Sequence, residues 1–219
     1  MGELESTNRI LRIYNISAIG YDLEANLTGF SKKSKVRREA IESLDLKENE
    51  IVLDVCCGTG LNFELLEQQI GKGGKIIGID INSKMLGIAK RRCEDKNWDN
   101  IDLVNANILE FKTKEHADRA ICTVAMGTIP EFEKAIDHVM HQLKSSGRFS
   151  IVDGKLSERF PYKILNRPYE IFSKSGGFDY KNRDLINYIK SKYKDVSYKE
   201  YGGGFCYSIT FEGKEGEWK

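Results

Sequence analysis

Proline, histidine and tryptophan are scarce in this sequence: three, three and two among 219 residues. With so little proline, and with 40% hydrophobic residues, there is no sign of general disorder or of a low-complexity tract. An excess of one charge is missing too, since 34 Lys and Arg stand against 33 Asp and Glu. A net charge of +1 argues against a protein whose affinity rests on neutralising many phosphates, so nucleic acid is an unexpected partner. No run approaches the roughly 18 apolar residues that cross a bilayer. The opening MGELESTNRILRIYN is polar and acidic, without the apolar segment of a signal peptide, so a cytoplasmic location is expected. The five cysteines are odd in number, and Cys56 and Cys57 are adjacent, which suits reduced thiols better than a disulfide framework. His138 and His141 can share a helix face, but no third ligand accompanies them, and no metal is expected.

What is present is alternation. At about 150 residues per domain the length suits one enlarged domain, or a domain with a small cap. Apolar, β-branched runs at Ile51–Val55, Lys75–Asp80, Ile101–Asn105, Asp118–Val124 and Arg148–Asp153 read as buried strands. Helical patterns at Leu61–Ile70, from Asn82 or Ser83 to about Cys93, and from Pro130 to about Leu143 lie between them. Five such repeats specify an α/β fold: a doubly wound, mostly parallel sheet of seven strands with helices on both faces. The last two strands, Val196–Tyr201 and Phe205–Phe211, follow a helix at Asn182–Tyr193. Gly202-Gly203-Gly204 joins them, and so short a link makes the last strand antiparallel. Residues 1–45 read as an amino-terminal helical cap. Residues 46–219 read as the main domain, with an insertion at 154–181 that lacks a clear period.

Chemistry concentrates in IVLDVCCGTGLNF, residues 51–63. A buried strand ends near Asp54, and a loop of small residues opens a helix. Gly58 and Gly60 let a ligand approach the backbone with no Cβ in the way, and helix-start N–H groups favour a negative group there. Twenty residues beyond Gly60 the next strand ends at Asp80, placed to accept both hydroxyls of a ribose. Two cofactor classes share this layout. A nicotinamide or flavin dinucleotide needs a small residue at the third position of G-x-G-x-x-G/A, and Phe63 stands there. S-adenosyl-L-methionine has no phosphate; its carboxylate and amine would lie against the loop, and Asp54 could orient the loop and meet the ammonium.

VLDVCCGTG, IIGIDINSKML and LVNANILEF, in that order and spacing, resemble the class I S-adenosylmethionine-dependent methyltransferases. The first motif is similar to that of the ubiquinone and menaquinone C-methyltransferases. The whole run, with Tyr21-Asp22 and the late glycine hairpin, looks like the phospholipid and betaine-lipid N-methyltransferases. The resemblance implies a Rossmann-like methyltransferase fold. It implies that Cys56, Gly58 and Gly60 line the methionine end of the cofactor, and that Asp80 holds the ribose. Ile81 and Met85 would flank the adenine, with Asn107 and Ile108 at its amino group and Thr123 near the cofactor amine. Asn107 stands where the family usually has Asp, and Cys56 replaces the first glycine of the loop.

Methyl transfer from a sulfonium needs alignment and water exclusion more than acid–base groups, because the leaving group is a neutral thioether. No catalytic residue is therefore assigned beyond the candidates Tyr14 and Tyr21, whose rings can face a cation. VAMGTIPEF after the fourth strand lacks the Asn/Asp-Pro-Pro-aromatic element that holds a planar base. The expected acceptor is a small molecule or a lipid headgroup, with N-, C- and O-methylation all open. Two other readings stay open: a cofactor-binding module without turnover, and an NAD-linked oxidoreductase, which Phe63 opposes. Tyr162, Arg167 and Tyr169 are acceptor-pocket candidates. The basic run Lys32, Lys33, Lys35, Arg37 and Arg38 reads as a solvated helix face, or else as a patch for anionic headgroups and peripheral membrane contact. A monomer or homodimer is expected.

Overall fold

The computed structural model describes residues 35–175, 177–180 and 184–213. Its strands are β1 (Ile51–Val55), β2 (Lys75–Asp80), β3 (Ile101–Asn105), β4 (Ala117–Thr123), β5 (Leu143–Gly154), β6 (Lys194–Tyr201) and β7 (Cys206–Glu212). They form one seven-stranded sheet in the order β3-β2-β1-β4-β5-β7-β6. The pairs from β3 across to β5 are parallel, and β7 runs antiparallel to both β5 and β6. The last strand is thus antiparallel, as expected from its glycine link.

Burial follows position in the sheet. β1, β4 and β7 are largely buried on both faces, and in β7 even Ser208 and Thr210 are covered, whereas the edge strands β3 and β6 alternate or stay half-exposed. Helices α1 (Lys35–Glu42), α2 (Phe63–Ile70) and α3 (Ser83–Lys96) cover one face. Phe63, Leu66, Ile70, Leu86 and Ala89 pack there on Val52, Ile76 and Ile121. Helices α4 (Phe132–His141) and α6 (Leu185–Lys192) cover the other, where Ile136, Val139 and Ile189 meet Leu53, Val55 and Phe149. Residues one apart along β1, Val52 and Leu53, serve opposite cores, as a two-residue period demands. No helix among the described residues is long and apolar enough to cross a membrane.

The order of strands places the functional end. The chain steps outward from β1 to β2 and β3, then returns to lay β4 on the other side of β1. Such a switch point opens a crevice at the carboxyl ends of β1 and β4. Local signals hold α3 there: Asn82 caps it by accepting the N–H groups of Lys84 and Met85 at 3.0 and 3.2 Å.

Several boundaries differ from the sequence reading. β5 starts at Leu143, where a helix end and turn were expected, and an irregularity in its pairing with β4 absorbs the polar Lys144–Ser146 stretch. Pro130 lies two residues before α4 instead of in its first turn. The insertion is ordered as a short 3₁₀ turn (Tyr162–Leu165) running into helix α5 (Asn166–Ser175). Tyr14, Tyr21, Lys32 and Lys33 lie outside the described residues.

Candidate functional site

Asp54, at the end of β1, is fully buried. Asn62 Nδ2 donates to its Oδ1 at 2.7 Å, while Oδ2 has no hydrogen-bond partner among the described residues. Burial pushes the Asp54 pKa up to about 7, against the opposing pull of the Asn62 hydrogen bond and the Arg37 charge. Arg37 sits in α1 and is buried. Its Nη1 donates to Thr123 Oγ1 at 2.7 Å and also to Asn62 Oδ1. Asn62, Thr123 and Arg37 thus form a polar cluster around the Asp54 carboxyl, tying the ends of β1 and β4 to α1. Treating Arg37 as part of a solvated basic face was wrong for this residue, although Lys35 and Arg38 are exposed. The signal was available: Arg37, Ala40, Ile41 and Leu44 fall at helical spacing on one face.

The loop after β1 is built from left-handed conformations. Cys56, Gly58 and Gly60 have φ of 54°, 55° and 77°. A side chain at Gly58 would meet nothing within 4 Å, so this glycine leaves open space above the backbone. Gly60 has a packing role in addition to the one its spacing suggested. A Cβ there would lie 2.4 Å from the Phe63 ring, so Gly60 makes room for that fully buried side chain. The same ring lies close against Gly78 of β2, where a Cβ would come within 2.9 Å. A hydrogen bond between the Cys56 and Cys122 thiols pushes the Cys122 thiol well above its ordinary value, with burial adding to the effect.

Asp80, at the end of β2, turns toward this loop. Its Oδ2 accepts the Gly58 N–H at 2.8 Å and its Oδ1 accepts the Asn82 N–H at 2.8 Å. Burial raises its pKa, and those two backbone donors oppose the rise. Each carboxylate oxygen still has lone-pair capacity for a second donor. Ile81 follows with 41% of its surface exposed, an apolar side chain left open beside the carboxylate. Met85 and Ile108 are buried, and Ile108 packs in the core with Val55 and Ile79. Asn107 Oδ1 accepts the Leu109 N–H at 3.1 Å and so fixes the turn after β3. Asn82 Nδ2 is the second buried polar atom without a partner among the described residues. Buried groups rarely stay unsatisfied. The orphan acceptor near the end of β1 and the orphan donor just beyond β2 both lie at the carboxyl end of the sheet.

One strand further along, Asp153 ends β5. It is buried, and its Oδ2 accepts the Gly127 N–H at 2.6 Å while its Oδ1 accepts the Gly154 N–H at 2.7 Å. An aromatic corner closes over it. The Tyr169 and Tyr180 rings stack at 5.9 Å between centroids, and Phe205 lies 4.7 Å from Tyr169. Burial first, and the Asp153 charge next, push the Tyr180 and Tyr207 hydroxyls up. A cavity of about 40 Å³ is lined by Asp153, Tyr180 and Tyr207. Tyr169 therefore belongs to this corner. Arg167 is exposed on the other side of its helix, and Tyr162 packs over Gly203 of the hairpin turn. The sequence reading passed over Asp153, Tyr180 and Tyr207. For Asp153 the signal was a third acidic residue ending a strand, after Asp54 and Asp80.

Comparison with known proteins agrees with this geometry. The ubiE/COQ5 methyltransferase family profile matches residues 3–176. A demethylmenaquinone methyltransferase of Oceanobacillus iheyensis is 25% identical over 182 residues, spanning 83% of this chain and 71% of that protein. Among solved structures, an S-adenosylmethionine-dependent methyltransferase from Aquifex aeolicus superposes with a TM-score of 0.61 at 18% identity, over 89% of this chain and 96% of that one. A Haemonchus contortus phosphoethanolamine N-methyltransferase, bound to S-adenosylhomocysteine and phosphomonomethylethanolamine, gives 0.69 at 13% identity, over 85% and 54%. The profile covers well over half of the chain, including the glycine loop and both acidic strand ends. The chain belongs to the ubiE/COQ5 methyltransferase family and is an S-adenosylmethionine-dependent methyltransferase.

Proposed function

We propose that this protein methylates a ring carbon of a small, electron-rich aromatic acceptor of the reduced-quinone class. The relatives named demethylmenaquinone methyltransferases support that class. The observation that carries it is the buried Asp153 facing an aromatic corner one strand beyond the cofactor crevice. The residues of the crevice fit S-adenosylmethionine. The unpaired Asp54 Oδ2 suits its ammonium, the open space over Gly58 admits its methionine end, and Asp80 suits its ribose hydroxyls. Ile81 offers an exposed apolar surface to the adenine, and Thr123 lies in the polar cluster around Asp54. When bound, the cofactor supplies a methyl group on a sulfonium whose departure as a thioether needs no acid.

The chain's own task is then on the acceptor side. A hydroquinone ring carbon becomes nucleophilic enough when a ring hydroxyl gives up its proton. Asp153 would receive that proton, and the ring carbon would take the methyl group as its bond to sulfur breaks and the sulfur leaves as a neutral thioether. The C–H proton would then pass to water while the ring oxygen takes its proton back from Asp153, which restores aromaticity and releases one proton net. Tyr169, Tyr180 and Phe205 would hold the ring by its faces. The cavity has room for only a water or two, so the Tyr169–Tyr180 pair must swing off Gly154 to admit a ring. α1 is anchored beside the crevice through Arg37, which donates to Thr123 and Asn62.

The test is an anaerobic methyl-release assay with a short-chain demethylnaphthoquinol beside phosphoethanolamine and other amines. Turnover of the quinol, lowered about 100-fold or more by Asp153→Asn with unchanged cofactor affinity, is the expected result for a lost proton acceptor. Turnover of amines alone would overturn the reading.

A further inference from the structure

The segment 160–175 is an amphipathic element turned inside out. Ile164, Leu165, Pro168, Ile171 and Phe172 recur at helical spacing, and all are exposed. Phe160, Ile164 and Ile171 leave 85%, 70% and 67% of their surface in solvent. The inward positions are more polar: Asn166 bonds to the Ser157 backbone, Tyr169 reaches Gly154, and Ser173 is buried. A soluble helix does the reverse, and an apolar surface of this extent on one element marks an interaction site.

The charges beside the stripe say what covers it. Lys163 and Arg167, one helical turn apart, are exposed and make no ion pair among the described residues. Lys174 continues the band and is paired with Glu170 at 2.8 Å. Long cationic side chains flanking an apolar stripe let hydrocarbon enter acyl chains while the charges reach the headgroups. We infer that residues 160–172 form a docking surface for an anionic lipid bilayer, with Ile164, Leu165 and Ile171 entering the apolar boundary and Lys163 and Arg167 engaging anionic headgroups. The exposed stripe and Tyr169 lie on opposite faces of one helix, so docking brings the aromatic corner beside the bilayer. The inference goes beyond the acceptor reading and is tested apart from it, on vesicles free of acceptor and cofactor.

The experiment is flotation of the full chain with vesicles of about one-third phosphatidylglycerol, against pure phosphatidylcholine, at low and high salt. Wild type should float with the anionic vesicles and be released by salt. Ile164→Ser with Ile171→Ser should weaken partition at least tenfold, with thermal unfolding and S-adenosylhomocysteine binding unchanged. Lys163→Glu with Arg167→Glu should abolish the preference for anionic lipid. Ile164→Trp reads insertion without removing apolar surface: the fluorescence of the added indole should be quenched by brominated lipid. Wild type remaining soluble with every vesicle, an added indole that brominated lipid leaves unquenched, or variants floating as wild type does would overturn the inference. So would light scattering that finds a dimer, broken by the serine pair, with no vesicle binding; the stripe would then be an interface between two copies.

Discussion

Asp54→Asn removes a buried charge while keeping its shape. Burial lifts the Asp54 pKa from 3.8 to about 7. A carboxyl whose pKa is raised on folding holds its proton more tightly in the native state. Its contribution is therefore harmless in acid and destabilising once pH climbs from about 4 through about 7. A shift from 3.8 to about 7, at about 1.36 kcal/mol per unit, puts the ligand-free protein at a disadvantage of the order of 4 kcal/mol near pH 8. Asparagine has no such proton to lose, and its Oδ1 still accepts from Asn62. Urea unfolding followed by circular dichroism at pH 5, 6, 7 and 8 should give wild-type and variant curves that diverge with rising pH, the variant becoming the more stable. Binding should show the opposite preference. If Asp54 meets the cofactor ammonium as a carboxylate, calorimetry at pH 6 in two buffers should register close to one proton released by wild type and none by the variant. The variant should bind about 2–3 kcal/mol more weakly at pH 8, the range for a lost charged hydrogen bond. Stability curves that run parallel from pH 5 to 8 would refute the assignment of Asp54 as a strained buried acid.

The two loop glycines should separate by readout. Gly60→Ala forces a Cβ into the Phe63 ring at a φ of 77° and should cost about 2–4 kcal/mol, seen as a fall in Tm. Gly58→Ala has free space and should fold with only about 1 kcal/mol of strain, yet lose cofactor affinity at least tenfold by titration calorimetry. Arg37→Met strips the donor from Thr123 and Asn62 and should lower stability by about 2–4 kcal/mol in urea unfolding; an unchanged midpoint would show that the cluster adds nothing. Asp80→Ala should weaken S-adenosylmethionine by about 1–3 kcal/mol, and equal affinity would remove Asp80 from the site.

The doubly wound sheet could be read from the sequence because strands buried on both faces carry consecutive apolar residues, as in Ile51–Leu53 and Ile76-Ile77. The crevice could be read because a glycine loop between Asp54 and Asp80 puts backbone, helix start and carboxylate in a fixed relation. Arg37 was hidden by its neighbours, since a run of lysines and arginines looks solvated until its helical phase is counted. The packing role of Gly60 was hidden because spacing alone does not say which side chain fills the space beside a glycine. α5 went unread because Pro161 and Pro168 punctuate its apolar spacing and read as turn signals, although Pro168 sits in the first turn of the helix, where proline is tolerated. Asp153 and the tyrosines come together only through strand order and an insertion, and pairwise spacing carries no trace of that.

Phe63 has a consequence for how this scaffold tells one nucleotide from another. The ring fills the gap between Gly60 and Gly78, the place where a dinucleotide fold keeps a small residue so that helix and strand can close beneath two phosphates. Here discrimination comes from a hydrocarbon floor, with no repelling charge required. That same ring is fully buried between sheet and helix, and truncating it to Ala would cost about 3–5 kcal/mol. Loosening the gate and loosening the fold are one event, so a variant tolerant of pyrophosphate would first have to survive losing its keystone.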